Sequence, residues 1–461
     1  MSGMLETSPA AVEASLLVGL RQAVAAGDAI VARSLAARML EEDALALLED
    51  LQPAELSRLF AILGDESLAQ LLARLDDRDA AGILSRMTAA QAADILEEID
   101  PDDATDILEE VDPDLLEGLL VAMEPDEAAE IRDLMSYPPE SAGGIMTPAF
   151  VAISPGLRAD QAVVALRRVA EEAETVNYVY VVDREERLLG VLSLHALVLT
   201  RPTTLVRDLM ISDIVTVPVL ADQEDAARIL TDHDLLALPV VDLEGRLVGI
   251  ITADDVADVI EAETTEDIER LGGSQPLSEP YLRASPFLLF RKRVVWLFVL
   301  FMAQFVTIEI YSSYEGDIRR AAVLGILVPI LIGTGGNVGS QTVSTIIRAM
   351  SVGEAEPRHI LRILRKELIT GLGLGLTMGV LMYGRGFFYD QSDVDARALA
   401  LTVGSTVLIL TVWAAGVATV LPITLSKLRI DPAVVSAPFI TSIIDATGVV
   451  IYFTIARALL F

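Results

Sequence analysis

The chain has no cysteine. That absence excludes a disulfide framework, thiolate-bound zinc or iron–sulfur centres, and thiol catalysis. Histidine is nearly as scarce. The three present, His195, His233 and His359, form no HExxH, so a zinc protease of that kind is excluded as well. There is no P-loop and no phosphorylation-type ATPase domain, which argues against a pump. Lysine is missing until Lys292, and only Lys366 and Lys427 follow it. Basic side chains are few throughout, 34 Lys+Arg against 68 Asp+Glu, for a net charge of −34 over 461 residues. The imbalance is confined to one part. Positions 1–280 carry 18 basic and 57 acidic side chains, a net of −39, whereas positions 281–461 carry 16 and 11, a net of +5. Nucleic acid is a poor partner for such a surface, and cations are a natural one.

The second part is apolar. Five long apolar runs follow Phe290, at 294–312, 321–347, 368–383, 398–425 and 434–456. About 20 apolar residues cross the hydrocarbon core as a helix, so four runs suffice and the third must extend into its flanks. No cleavable signal segment is expected, because the start of the chain lacks a basic region followed by a compact apolar stretch. Arg291, Lys292 and Arg293 precede the first run, and Arg348, Arg358, Arg362, Arg365 and Lys366 separate the second from the third. Lys427 and Arg429 separate the fourth from the fifth, whereas Asp390, Asp393 and Asp395 lie in the loop before the fourth. Positive-inside counting places the N-terminus in the cytoplasm and the C-terminus outside, in a bacterial-type plasma membrane.

Polar groups within these runs carry chemistry. Asp445 sits near the middle of the fifth run, where a carboxylate costs roughly 2.5–3.5 kcal/mol on insertion scales and must face a partner or a water-filled path. Thr441 and Gly448 share its helix face. In the second run, Gly333-Thr334-Gly335-Gly336-Asn337 and Pro329 are expected either to break the helix and expose carbonyls or to permit close packing. Glu309 is expected at the interface.

Two internal repeats mark the acidic part. Leu51, Leu63, Leu75, Met87, Ile99, Val111 and Met123 recur every twelve residues, as do Leu71-Leu72, Ile83-Leu84, Ile95-Leu96, Ile107-Leu108 and Leu119-Leu120. Each unit reads as a short helix opened by Asp caps and an early Pro, and their succession as a right-handed superhelical stack. Later, the stretch Val181 to Ser193 returns as Val240 to Thr252, each copy a strand, tight turn, strand and helix. This second repeat resembles a tandem pair of CBS domains, with Gly144-Ile145-Met146-Thr147-Pro148 as its entry. From Asp254 an acidic stretch without Gly or Pro runs to Leu271 and reads as one connecting helix.

An acidic helical repeat, a CBS pair, an acidic connecting helix and five spans together resemble the MgtE family of magnesium channels. The specific pieces are Gly143 to Pro148, Gly333 to Asn337, Asp431-Pro432-Ala433 and Asp445-Ala446-Thr447-Gly448. The resemblance implies a multidomain chain: a flexible tail at 1–20, an all-α helical-repeat domain at 21–136, an α/β CBS pair at 137–253, a connecting helix and linker at 254–282, and a five-helix membrane domain at 283–461. It implies a homodimer in the lipid bilayer, with the second and fifth spans lining one pore. Asp445, Thr441 and Ala437 would meet the permeating Mg²⁺, and Gly335, Gly336 and Asn337 would line its path; Ala437 stands where the family has a polar residue. Regulatory Mg²⁺ would involve Asp102, Asp106, Glu224, Asp234, Asp255, Asp258, Glu263, Glu266, Asp267 and Asp431. Tyr178, Ser193 and Thr252 match the nucleotide site. There Ala196 replaces a carboxylate and weakens any binding of ATP. The expected function is a Mg²⁺-selective uptake channel closed by cytoplasmic Mg²⁺, and not an enzyme. The alternatives are a broader divalent-cation channel, passing Co²⁺ for example, and a membrane-anchored ion or nucleotide sensor without transport.

Overall fold

The computed structural model describes residues 9–39, 44–45, 48, 53–169, 175–388, 395–428 and 430–461. Leu51 of the twelve-residue repeat, and Asp390, Asp393 and Arg429 of the orienting loops, lie outside them. The chain forms two compact units, Met1–Ile260 and Glu261–Phe461.

The twelve-residue period becomes a helix of two to three turns plus a short link. Asp65–Leu72, Asp77–Leu84, Ala89–Leu96, Pro101–Glu109, Pro113–Ala122 and Pro125–Leu134 follow one another in this way. Links end on N-caps: Asp76 accepts from the Arg78 amide, Asp112 from Asp114, and Thr88 forms a capping box with Gln91. Proline at the first turn of the last three costs no hydrogen bond, since those amides lack helical partners. Leu72, Leu84, Leu96, Leu108 and Leu120 all point into one continuous core. The expected tail does not extend to residue 20: a helix spans Pro9–Ala26, and its Leu20 is fully buried in that core.

The two CBS copies have the same topology. Strands β1 (Ala152–Ile153), β2 (Tyr178–Val182) and β3 (Leu188–Ser193) form one sheet in that order, and β4 (Val217–Pro218), β5 (Ala237–Val241) and β6 (Leu247–Thr252) the other. In each, the first pair is parallel and the second antiparallel, with the same register shift before the turn. Asp183 and Asp242 organise the turns by accepting two backbone amides each. The left-handed turn position is Gly245 in the second copy but Glu186, at φ 61°, in the first. Thr147, from the entry segment, pairs with Ile250 of β6, so the segment that leads into the first copy packs on the second.

In the second unit, five helices are long and apolar enough to cross a membrane among the described residues: Pro286–Ser312, Ala322–Ser351, Pro357–Gly386, Ala396–Lys427 and Ala437–Leu460. The third gains its length from the basic flank, as its short apolar run requires. The second is one continuous 30-residue helix with Pro329 inside it, so the expected break does not occur. Its glycines serve packing instead. Gly335 fits against Leu410 and Ile444, Gly336 against Thr441, and Gly339 against Ile440 and Ile444. The third and fourth spans meet through Gly371, Gly375, Gly379 and Gly386 in the same manner. The first span packs mainly on the fifth and stays exposed over most of its surface.

Candidate functional site: a carboxylate among the spans and two acidic clusters

Asp445 lies in the third turn of the fifth span and is half-buried. Gln304 of the first span donates from Nε2 to Asp445 Oδ2 at 3.4 Å. One turn back, Thr441 Oγ1 lies 3.2 Å from Ser340 Oγ on the second span and bonds the Ala437 carbonyl at 3.0 Å. Leu297, Phe301, Gln304, Ser340, Ala437 and Thr441 border an open groove of about 440 Å³. Two residues were missed by reading the fifth run alone. Gln304 and Ser340 come from other spans, and the available signal was an amide inside the apolar run 294–312. Asn337 is exposed on the second span, while Gly335 is buried against Leu410 and Ile444 and Gly336 against Thr441. Ala437 contributes only its carbonyl. Glu309 is exposed.

The first unit gathers the next set of carboxylates. Asp102, Asp103 and Asp106 lie on the helix Pro101–Glu109, and Asp255 and Asp258 open the helix Ala253–Leu271. Burial, and then Asp255, push Asp102 and Asp103 up to about 7. Asp106 keeps an exposed side chain, yet lost hydration from the protein around it, and then Asp77, push it up to about 8. Asp77 itself rises to about 6 through burial, Asp76, Glu110 and Asp258. Asp255 is raised by burial and held back by its bonds to Thr252. Asp102 Oδ1 is buried and has no hydrogen-bond partner. A buried, unpartnered carboxylate oxygen beside like charges suits a cation. Among the described residues no group of three or more carboxylates or imidazoles is placed to hold a metal ion. Asp77 and Asp103 belong to this group, although the sequence reading passed over both as sites. Glu224 and Asp234 are exposed, Glu224 in the first turn of the helix Gln223–Asp232 and Asp234 two residues beyond its end.

In the second unit, the last turns of the connecting helix meet the start of the fifth span. Arg270 pairs with both Glu266 and Asp431. Asp431 Oδ1 accepts the Ala433 amide at 2.7 Å. Asp267 Oδ2 accepts from Ser351 Oγ, at the end of the second span, at 2.5 Å. Glu263 sits one turn earlier and is half-buried.

The residues matched to a nucleotide site are engaged locally. Tyr178 and Ser193 face each other across β2 and β3. Ser193 Oγ accepts the Ala196 amide as a helix cap, at 3.2 Å. Thr252 Oγ1 lies 2.6 Å from Asp254 Oδ1 and 2.5 Å from Asp255 Oδ2. Asp255 thus joins the helix cap to the acidic cluster. The hydroxyl of Tyr180, a residue 1% exposed, is also buried without a partner.

Comparison with known proteins follows the same divisions. A family model described as a divalent cation transporter matches residues 328–455, the MgtE intracellular N domain matches 39–140, and CBS domains match 142–200 and 206–262. The magnesium transporter MgtE of Thermus thermophilus is 42% identical over 333 residues, covering 72% of this chain and 73% of that protein. The magnesium transporter MgtE of Enterococcus faecalis is 36% identical over 334 residues, 72% of each chain. A crystal structure of the soluble part of a magnesium transporter superposes with a TM-score of 0.51 at 33% identity, over 54% of this chain and 99% of that one. Such identity over most of both proteins, with the family models in order along the sequence, places this multi-pass membrane protein in the MgtE family.

Proposed function

We propose that this chain is a Mg²⁺-selective uptake channel, active as a homodimer and closed by cytoplasmic Mg²⁺. The observation that carries the reading is the half-buried Asp445, bonded to Gln304, above a groove edged by Ser340 and Thr441 hydroxyls. Polar groups facing hydrocarbon are costly, so Gln304, Asn337 and Ser340 imply that this face meets a second copy and water rather than lipid. Mg²⁺ dehydrates reluctantly, and one carboxylate per subunit with nearby hydroxyls can hold it through its water shell loosely enough to release it.

The acidic clusters supply the gate. Asp102, Asp103 and Asp255, with Asp77, Asp106 and Asp258 around them, would hold a regulatory cation, which offsets their mutual repulsion when bound. Bare, they repel and loosen the packing of the helical repeat against the start of the connecting helix. Glu224, Asp234, Glu263, Glu266, Asp267 and Asp431 extend the set. The continuous helix from Ala253 to Leu271 carries that change toward the spans. The acidic unit is cytoplasmic and the C-terminus outside. Tyr178, Ser193 and Thr252 hold ATP weakly, since Thr252 and Asp255 are bonded to each other and Ala196 offers no carboxylate. Transport rather than catalysis is the activity.

The match to a divalent cation transporter model favours a second reading, a channel of broader selectivity. Flux from purified protein in liposomes, with Mg²⁺ against Co²⁺, Ca²⁺ and Na⁺, separates the two. Preference for Mg²⁺ supports the first; equal Co²⁺ and Mg²⁺ flux supports the second, and no flux rejects both.

A further inference from the structure

The exposed face of the second span carries a polar stripe that runs on past Ser340. Asn337, Gln341, Thr345 and Arg348 follow one another at intervals of three or four residues and are all exposed, so they share one side of the helix. Ser340 edges the groove described above. One turn on, Ser344, Thr345, Arg348, Val352 and Glu354 edge a second open groove, of about 530 Å³. Ser344 Oγ donates to the Ser340 carbonyl at 2.8 Å, and Thr345 Oγ1 to the Gln341 carbonyl at 2.9 Å. Their protons are committed to the helix, so both oxygens offer only lone pairs outward, which suits a hydrated cation. Arg348 is the exception on this stripe. It lies about 12 Å of helix beyond Ser340, and Asp267 of the connecting helix accepts from Ser351 rather than from Arg348. Gly353, left-handed at φ 72°, turns the chain back so that the Ala355 amide bonds the Ala349 carbonyl at 2.8 Å. That turn brings Glu354 to the rim of the same groove. Arg348 and Glu354 are both exposed and lie outside ion pairs among the described residues.

We propose that Arg348 and Glu354 are opposed fixed charges at the cytoplasmic mouth of the ion path, and that they set how readily Mg²⁺ enters from that side. The guanidinium repels the ion and the carboxylate draws it in. The proposal rests on the channel reading and adds a preferred direction of flow to it. A fixed charge acts on a divalent ion twice as strongly as on a monovalent one, and in salt it acts over about 8–10 Å. The groove lies within that range of Arg348, whereas Asp445 lies beyond Ser340 on the far side. Arg348 therefore hinders the return of Mg²⁺ at the mouth without altering the carboxylate that holds the ion farther along.

Unitary Mg²⁺ currents in inside-out patches from cells making the full chain test this, because the amplitude of an opening does not depend on how often the channel opens. The reading is the ratio of outward to inward amplitude at equal and opposite voltages in symmetric Mg²⁺. Arg348→Gln should raise that ratio about two- to fourfold, and Arg348→Lys, which keeps the charge, should hold it at the wild-type value. Glu354→Gln should lower it, and Arg348→Gln/Glu354→Gln should return it toward the wild type. Higher ionic strength, from an impermeant salt, should shrink each change. Both side chains are exposed, so neither substitution removes a packed contact, and each single variant judges the proposal by itself. An unchanged ratio in Arg348→Gln, or changes of the same sign in Arg348→Gln and Glu354→Gln, overturns the proposal and leaves the channel reading standing. No Mg²⁺ current in the wild type rejects the channel reading, and the proposal with it.

Discussion

At the residue scale, glycines of the spans divide by what surrounds them. A Cβ on Gly379 would lie 2.8 Å from the Gly404 carbonyl oxygen, which belongs to the backbone and cannot rotate away. A Cβ on Gly373, earlier on the same helix, meets nothing within 4 Å. Gly379→Ala should cost about 1–3 kcal/mol by forcing two helices apart, whereas Gly373→Ala should be neutral or stabilising by up to about 1 kcal/mol through helix propensity. Thermal unfolding of the two variants in detergent checks the difference. Composition alone could not separate these glycines, because both occur in the same Gly-rich run. Asp445 was legible because a lone carboxylate in an apolar run is conspicuous. Gln304 was not, because its meaning depends on a partner 141 residues away.

At the element scale, the twelve-residue repeat and the duplicated strand–turn–strand were both readable, since periodic burial and matching turns leave local traces. The course of the second span was not. Glycines and Pro329 are consistent with a broken helix or a close-packed one, and only the neighbours Leu410, Ile440 and Ile444 decide for packing. The short helix Glu315–Arg320 between the first two spans shows the same limit. Its Asp317, 7% exposed, accepts from Arg457 Nε of the fifth span at 2.8 Å, and the Arg457 guanidinium lies over the Tyr314 ring. Arg457→Gln leaves that buried carboxylate without its charge partner. Because Arg457 is itself 54% exposed, the cost should be about 1–3 kcal/mol rather than that of a fully buried pair. A lower thermal midpoint in Arg457→Gln, with Glu315→Gln on the exposed surface unchanged, is the expected outcome.

At the scale of the whole molecule, a net charge of −39 over positions 1–280 reads directly as cation affinity, but not as a site. Folding decides which acids meet. Asp102, Asp103, Asp106 and Asp77 have folded values of about 7, 7, 8 and 6, above the ordinary carboxylate value of 3.8. Groups raised on folding stabilise the fold when protonated, and that contribution is lost as pH rises through their folded values. In EDTA, the acidic unit should therefore lose stability between about pH 4 and pH 8, most steeply around pH 5 to 6, with the slope flattening as pH passes through the folded values. Mg²⁺ should remove most of that slope and release protons on binding. Calorimetric unfolding across this range, with and without Mg²⁺, would show it; a flat profile in EDTA would mean that these carboxylates keep ordinary values in the folded state.

Transport itself is tested most directly at Asp445. Purified wild-type protein and Asp445→Asn are reconstituted into liposomes at equal density, with oligomeric state checked by size, and Mg²⁺ entry is followed with a lumenal dye. The amide keeps the shape of the side chain and removes its charge. The wild type should admit Mg²⁺, and Asp445→Asn, still assembled, should lose at least about tenfold of that flux, a barrier of roughly 1.4 kcal/mol or more. Equal Mg²⁺ entry through both proteins would contradict a path that runs past Asp445.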